Sequence, residues 1–208
     1  MNDRAVGDAI AGDWSFGFGF NVVDDGGVIL GGLFEGKKYN HFHMPFTINA
    51  EYFYDSQWSF TTTLSFNKYM EGKIVDRRGT ILKDEEPGFF AIDLGAKFYF
   101  RDIFNDYKFE PYVFSGFGFT SIGGHKIDPY KSEVPGAVTV DTDGKWNIPA
   151  TSNLTFNVGL GTNYWINKNW GVNVNAAAKW GFKGKKYEDI ISNYTQFSFG
   201  GFYCLKKL

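Results

Sequence analysis

Apolar and polar residues alternate with a period of two along most of this chain, and the alternation is cleanest between Asn153 and Leu205. In the run 153–166, Leu154, Phe156, Val158, Leu160, Tyr164 and Ile166 share one parity, and Thr155, Asn157, Gly159, Gly161 and Asn163 share the other. In the run 170–180, Trp170, Val172, Val174, Ala176, Ala178 and Trp180 oppose Asn173, Asn175 and Lys179. Strict period-2 alternation predicts strands with one apolar and one polar face. Joined by Asn167-Lys168-Asn169, the two runs predict a long antiparallel hairpin. Tyr164, Trp170 and Trp180 bracket Val172, Val174 and Ala176, so aromatic rings sit at the strand ends and small aliphatics between them. That is the pattern of a strand whose apolar face meets lipid.

The same reading predicts six further strands. The first, Asp13–Val23, turns Trp14, Phe16, Phe18, Phe20 and Val22 outward. The second, Pro45–Tyr54, turns out Phe46, Ile48, Ala50, Tyr52 and Tyr54; the third, Trp58–Asn67, turns out Trp58, Phe60, Thr62, Leu64 and Phe66. The fourth, Phe89–Arg101, faces Phe90, Ile92, Leu94, Ala96, Phe98 and Phe100 outward. The fifth, Phe109–Thr120, has apolar residues on both parities; placing Val113, Phe117 and Phe119 outward puts Glu110, Gly116 and Gly118 inside. In the last strand Thr195, Phe197, Phe199, Tyr203 and Leu205 face out, and Gln196, Ser198 and Gly200 face in. Long connections (24–44, 68–88, 121–152 and 183–192) alternate with short ones (55–57, 102–108 and 167–169). The expected fold is all-β: an eight-stranded antiparallel up-and-down transmembrane barrel with long extracellular loops and short periplasmic turns. Residues 13–208 form this barrel, behind a periplasmic N-terminal segment of residues 1–12.

Composition agrees and narrows the function classes. The chain is 20% aromatic and holds 26 glycines against 6 prolines. Its mean hydropathy is only −0.27, so it is rich in rings without being uniformly apolar. No window approaches the roughly 18 apolar residues of a membrane helix. A net charge of −2 without a basic stripe argues against nucleic acid as a partner. The single cysteine, Cys204, forms no internal disulfide and reads as an inert buried thiol. The opening residues MNDRAVGDAIAGD hold no apolar signal segment, which predicts a mature form carrying a retained or added Met1.

The inward parities collect Glu51, Asp93, Lys97, Arg101, Glu110 and Lys179 as a candidate interior charge network. A Lys or Arg facing lipid at mid-bilayer costs about 2–4 kcal/mol, so these positions belong inside. There they form either a polar plug, the expectation here, or a gated proton or ion path. Trp14, Tyr54, Trp58, Tyr164, Trp170, Trp180 and Tyr203 make the expected aromatic girdle. No cofactor is expected and no metal site is assigned. His41 and His43, at i, i+2 spacing, with His125 or Asp128 lack a third ligand fixed by spacing. Asp141-Thr142-Asp143-Gly144 opens like a calcium loop but puts Ser152 where the bidentate Glu belongs, so it reads as a turn. Asp84-Glu85-Glu86 reads as a solvated tip in contact with divalent cations of surface lipopolysaccharide. His41, His43 and Ser121 fall in loops without a nucleophile motif such as GxSxG, so no catalytic residue is assigned.

Three stretches, FEPYVFSGFGF (109–119), FNVGLGTNYWINKNWGVNVNAAAKW (156–180) and YTQFSFGGFYC (194–204), resemble the N-terminal barrel of OmpA/OprF-type outer-membrane proteins, in particular those of Bacteroidetes. The resemblance covers the C-terminal half; the N-terminal half matches by strand layout. It implies a structural outer-membrane protein, sometimes with a narrow, low-conductance pore, and carries no catalytic residue. Proteins of that type usually continue into a peptidoglycan-binding domain, whereas this sequence stops at Lys206-Lys207-Leu208. It is either a barrel cut out of a longer chain or a barrel-only relative, which puts cell-wall anchoring in doubt. The expected function is a non-enzymatic bacterial outer-membrane barrel with a structural role in envelope integrity or a loop-mediated binding role. Its partners would be outer-membrane lipid, lipopolysaccharide and other envelope proteins. Three alternatives stay open: an accessory subunit of a secretion or motility complex, a soluble lipocalin-like carrier with the faces inverted, and an outer-membrane lipid-modifying enzyme.

Overall fold

The strands appear where the alternation places them. A computed structural model of the chain describes residues 11–24, 42–69, 87–101, 108–127, 139–140, 146–148, 150–182 and 193–207. Within these, residues 42–44, 125–127, 139–140 and 146–148 are described by their backbone alone. In chain order the strands are β1 (Trp14–Asp24), β2 (Phe42–Phe53), β3 (Trp58–Tyr69), β4 (Gly88–Tyr99), β5 (Phe109–Ile122), β6 (His125–Ile127), β7 (Thr139–Val140), β8 (Trp146–Ile148), β9 (Thr151–Trp165), β10 (Trp170–Gly181) and β11 (Asn193–Leu205). Eight of them close into one barrel in the order β1-β11-β10-β9-β5-β4-β3-β2. Every neighbour is antiparallel, and β1 pairs with both β2 and β11, so no barrel strand keeps an open edge. Closure of this kind is what a sheet needs where no water is present to take up its backbone groups.

Two of the short turns are built alike. Asp55 Oδ1 accepts from the backbone N–H of Gln57 and of Trp58, at 2.7 Å each. Asn167 Oδ1 accepts from Asn169 and Trp170 in the same way, at 2.9 Å each. An Asp or Asn at the first turn position replaces missing ladder bonds with its own side chain. Both described chain ends are tied at this end of the barrel. Gly12 N–H donates to Phe53 O at 2.8 Å, and Lys207 N–H donates to Asp13 Oδ1 at 2.7 Å.

The two faces have the expected chemistry. Trp14, Phe16, Phe18 and Phe20 are exposed on the outside of β1, whereas Ser15 and Asn21 are buried inside. The ambiguous strand resolves with Val113, Phe117 and Phe119 outward and Glu110, Tyr112 and Thr120 buried. A soluble carrier requires the opposite arrangement, apolar inside and polar outside. One outward assignment fails. Thr195 lies opposite Asp24 in the β1–β11 register, and both are 1% exposed although they share the outward parity. This pair sits at the last rung of the ladder, where parity no longer separates lipid from interior.

The region 121–152 differs from a plain loop. The pairing Ile122↔Thr151 continues without a slip to His125↔Ile148 and Ile127↔Trp146. Strands β5 and β9 therefore run on past the barrel as one ribbon, formed by β6 and β8, and β7 adds a third strand to it. The acidic segment 84–86, the turn 141–144 and the connection 183–192 lie outside the described residues.

Two cross-strand glycine pairs bring neighbouring backbones close together. Gly19 pairs with Gly200 on the β1–β11 seam, and Gly95 pairs with Gly116 on the β4–β5 seam. The seams lie opposite one another in the strand order. A Cβ on Gly19 would stand 2.3 Å from Phe199 O, and one on Gly116 would stand 2.1 Å from Leu94 O. The neighbouring backbone occupies the space of a side chain, which permits the tight coiling of a small closed sheet. Gly19→Val and Gly116→Val should each destabilise the barrel by about 1–3 kcal/mol. Gly88→Ala, whose Cβ would meet nothing within 4 Å, should be neutral; urea unfolding in lipid vesicles reads all three. On the outer face, Val174→Lys should cost about 2–4 kcal/mol by the same assay. Equal tolerance of Lys at Val174 and at an exposed turn position would contradict the placement of that face in lipid.

Candidate functional site

The lumen is the place where this fold gathers polar chemistry. Alternation forces every second residue of eight strands into a narrow space, so the inward charges must find partners there. The six charged candidates form three ion pairs. Lys97 Nζ lies 2.7 Å from Glu51 Oε2, Arg101 Nε lies 2.8 Å from Glu110 Oε1, and Lys179 Nζ lies 2.5 Å from Asp93 Oδ2. Three positive and three negative groups leave this set electrically neutral.

Glu51 is the centre of the first cluster. Its Oε2 receives Lys97, and its Oε1 accepts from Ser59 Oγ and from Tyr99 Oη, the latter at 2.6 Å. The chain of bonds continues across the barrel. Asn163 Nδ2 donates to Tyr99 Oη at 3.1 Å, and Asn173 Nδ2 donates to Asn163 Oδ1 at 2.6 Å and to Tyr112 Oη at 2.8 Å. This single network ties β2, β3, β4, β5, β9 and β10 together. Beside it, Arg101 stacks its guanidinium over Tyr99 at 4.9 Å and donates from Nη1 to Ser56 O at 2.7 Å, closing the β2–β3 turn from within.

The second cluster lies toward the long-loop end. Asp93 takes Lys179 on one oxygen and Asn157 Nδ2 on the other, the latter at 2.7 Å. Lys179 Nζ also lies 5.3 Å from the centre of the Tyr194 ring, whose hydroxyl bonds Thr120 Oγ1 at 2.6 Å. Farther along, Asn67 donates to Asn21 at 2.5 Å and Gln196 donates to Ser65 at 2.8 Å. Those bonds bring β1 and β11 into the bracing.

Sequence reasoning missed the third component, an aromatic layer across the short-turn end. Phe53, Tyr99, Tyr112, Trp165, Phe202 and Cys204 form a buried cluster there, with Trp165 meeting Phe202 edge to face at 4.8 Å. These rings lie on the polar parity. The signal was in the partners: Tyr112, Phe114 and Phe202 stand opposite Gly161, Gly159 and Gly171. A Cβ on Gly171 would lie 2.3 Å from Phe202 Cζ, so the ring occupies the side-chain space the glycine leaves. Above this layer a cavity of about 70 Å³ remains, lined by Asn49, Thr63, Asp93, Lys97, Asn175 and Lys179 among others. It has room for several water molecules.

The girdle residues Trp14, Tyr54, Trp58, Tyr164 and Trp170 are exposed around the short-turn end, with Tyr203 half-buried beside Trp170 and Trp180 at the other end. Other candidates are not gathered. His41 and Asp128 lie outside the described residues, and His43 and His125 are described by backbone only, in β2 and β6. Ser121 sits near the end of β5 opposite Phe90 and Ser152. Among the described residues no group of three His, Cys, Asp or Glu side chains is placed to hold a metal ion.

OprG from Pseudomonas aeruginosa superposes with a TM-score of 0.57 at 11% identity, over 98% of this chain and 100% of that one. The fold is that of an eight-stranded outer-membrane barrel. Neisserial surface protein A matches with a TM-score of 0.54 at 11% identity, over 96% of this chain and 100% of its own. The N-terminal β-barrel domain of Pseudomonas aeruginosa OprF matches with a TM-score of 0.51, also at 11% identity, over 95% and 100% of the two chains. No protein-family model matches the sequence, and no curated protein does. At such identity the likeness concerns the outer-membrane barrel fold, and the residues of the lumen must be argued for themselves.

Removing one partner of the central cluster tests that argument. Glu51→Gln leaves Lys97 buried without its counter-charge and should cost about 3–5 kcal/mol, whereas adding Lys97→Met to it should recover part of the loss. A double-mutant cycle read by urea unfolding in vesicles measures the coupling. Additive effects of the two single changes would mean the ion pair does not act as a unit.

Proposed function

We propose that this protein is a non-enzymatic barrel of the bacterial outer membrane, with its short turns toward the periplasm, whose role in the envelope is structural. The observation that carries the reading is the filled lumen. Three mutually neutralised ion pairs and an aromatic layer at the short-turn end occupy the space a channel would need, with about 70 Å³ left between them. Residues that satisfy one another across six strands brace the barrel and leave little capacity for transport. The outward face supplies the rest of the argument, because aromatic and aliphatic side chains exposed on every barrel strand are stable only in hydrocarbon.

A loop-mediated binding role is part of the same proposal. It is favoured by the β5–β9 ribbon, which keeps its register through Ile127↔Trp146 and acquires a third strand. A sheet held in register beyond the barrel is a firmer platform for an envelope partner than an unstructured loop.

Refolding from urea into phospholipid vesicles should yield a heat-modifiable band on a gel. The vesicle-borne protein fused into planar bilayers should then give no large, stepwise ion conductance. A stable open channel would overturn the plugged reading. Refolding to a soluble monomer without lipid would overturn the membrane reading. Recovery from native membranes in a stoichiometric complex would favour the accessory-subunit alternative.

A further inference from the structure

We propose that the middle of the lumen is a binding chamber for a small uncharged polyhydroxyl solute, of which glycerol is the simplest. This inference goes beyond the structural role above and concerns the space that the filled lumen still leaves. The chamber is a consequence of the glycine seams. The inward positions Gly19, Gly95, Gly116 and Gly200 send no side chain across the barrel, and the cavity of about 70 Å³ touches all four. Around it the inward residues Asn49, Thr63, Asn175 and Ser198 are only partly buried, although their strands are paired on both edges. All of these residues line the cavity.

The lining calls for a guest that both donates and accepts hydrogen bonds. Thr47 Oγ1, Asn157 Oδ1 and Gln196 Oε1 are enclosed and have no hydrogen-bond partner among the described residues. Their residues are 7%, 1% and 3% exposed, and all three line the cavity. Buried oxygens of this kind are costly until a donor reaches them. Lys97 and Lys179 line the same space, each with a carboxylate partner at 2.7 and 2.5 Å respectively. An ammonium group has three donors, so both can give more than one bond. Hydroxyl groups meet both demands, because each one donates and accepts. An ion does not suit, since the six charged groups of the lumen already cancel and a further charge in a poorly solvated space is costly. Water alone suits only part of the wall. Phe114, Ala177 and the ring of Tyr112 give the chamber an apolar side, continuous with the aromatic layer, where a water molecule finds no partner. The C–H face of a polyol packs against such a side while its hydroxyls reach the amides, and one polyol displaces several waters.

Titration of the refolded protein in detergent micelles tests this, with glycerol as the probe and sucrose as a larger comparison. The side-chain amide signals of Asn157, Asn175 and Gln196 are followed by NMR. Glycerol should shift them along a saturable curve. Sucrose, which acts on a protein mainly by being excluded from its surface, should not. Thr63→Leu and Ser198→Leu each place a larger side chain in the chamber, at positions whose hydroxyls bond no described residue. Either change should raise the half-saturating glycerol concentration at least about tenfold, the equivalent of one lost hydrogen bond. Two variants are used so that one that fails to fold does not decide the matter, and the parent titration is decisive without them. A shift that stays linear in concentration, that sucrose reproduces, or that the folded variants retain unchanged would overturn the polyol site and leave water as the content of the chamber. Saturation by sodium chloride in place of glycerol would assign the site to an ion and overturn it as well. Failure of the parent protein to give a heat-modifiable band strikes the membrane reading itself, and that is observed before any glycerol is added.

Discussion

A sheet that crosses hydrocarbon has to pair every strand on both edges, and this one requirement governs the rest of the molecule. Closing eight strands meets it, at the cost of a lumen too narrow for a wide aqueous channel. Curvature is then forced on the backbone. Glycines admit close backbone approach at two opposed seams, where Gly19 faces Gly200 and Gly95 faces Gly116, and where a neighbour's carbonyl stands in the place of a Cβ. Apolar residues leave through the outer face. The charged groups are left to satisfy one another.

That self-satisfaction explains the form of the interior better than a search for stability does. Desolvating an ion pair costs much of what its attraction returns, so Glu51–Lys97 and Asp93–Lys179 are weak evidence of net stabilisation by themselves. Their value lies in consistency. Glu51 receives a lysine, a serine and a tyrosine from two other strands, and Tyr99 passes the connection to Asn163 and Asn173. A slip of one residue in any of these strands would strand several buried groups at once. The polar lumen therefore specifies register, which an outer face of interchangeable Phe, Val and Leu side chains is poor at doing.

Strand positions and face assignments were legible because a period of two needs only the chain itself. Even the doubtful β5 resolved on one criterion, the placement of Glu110, Gly116 and Gly118 inside. Partnerships were not legible. Lys97 meets Glu51 across a separation of 46 residues, and Lys179 meets Asp93 across 86. Such distances are set by the shear of the closed sheet, which no local pattern encodes. The aromatic layer was hidden for a different reason. Period-2 reasoning in a membrane barrel sends rings outward by habit, yet Tyr99, Trp165 and Phe202 share a parity with Asn and Lys. What distinguishes Phe114, Tyr112 and Phe202 is a glycine directly across the ladder, a feature that becomes visible only once the register is known. The ribbon beyond β5 and β9 was masked in turn by Gly123, Gly124 and Pro149, which read locally as loop.

Tyrosine shows how far parity decides chemistry in this fold. Tyr99 and Tyr112 point inward, and their hydroxyls are fixed by Glu51 and Asn173 in the closing layer of the lumen. Tyr52, Tyr54, Tyr164 and Tyr203 stand at the same end on the opposite face, with hydroxyls that no described residue of the chain takes up. One residue type thus braces the barrel from inside and is offered to the surroundings from outside, according to an even or odd step along a strand. A buried donor without a partner would be costly, and an outward one at this height is not, provided that polar lipid atoms are there to receive it. Among the described residues, the end of the barrel whose inner face is closed by rings also presents tyrosine and tryptophan donors on its outer face.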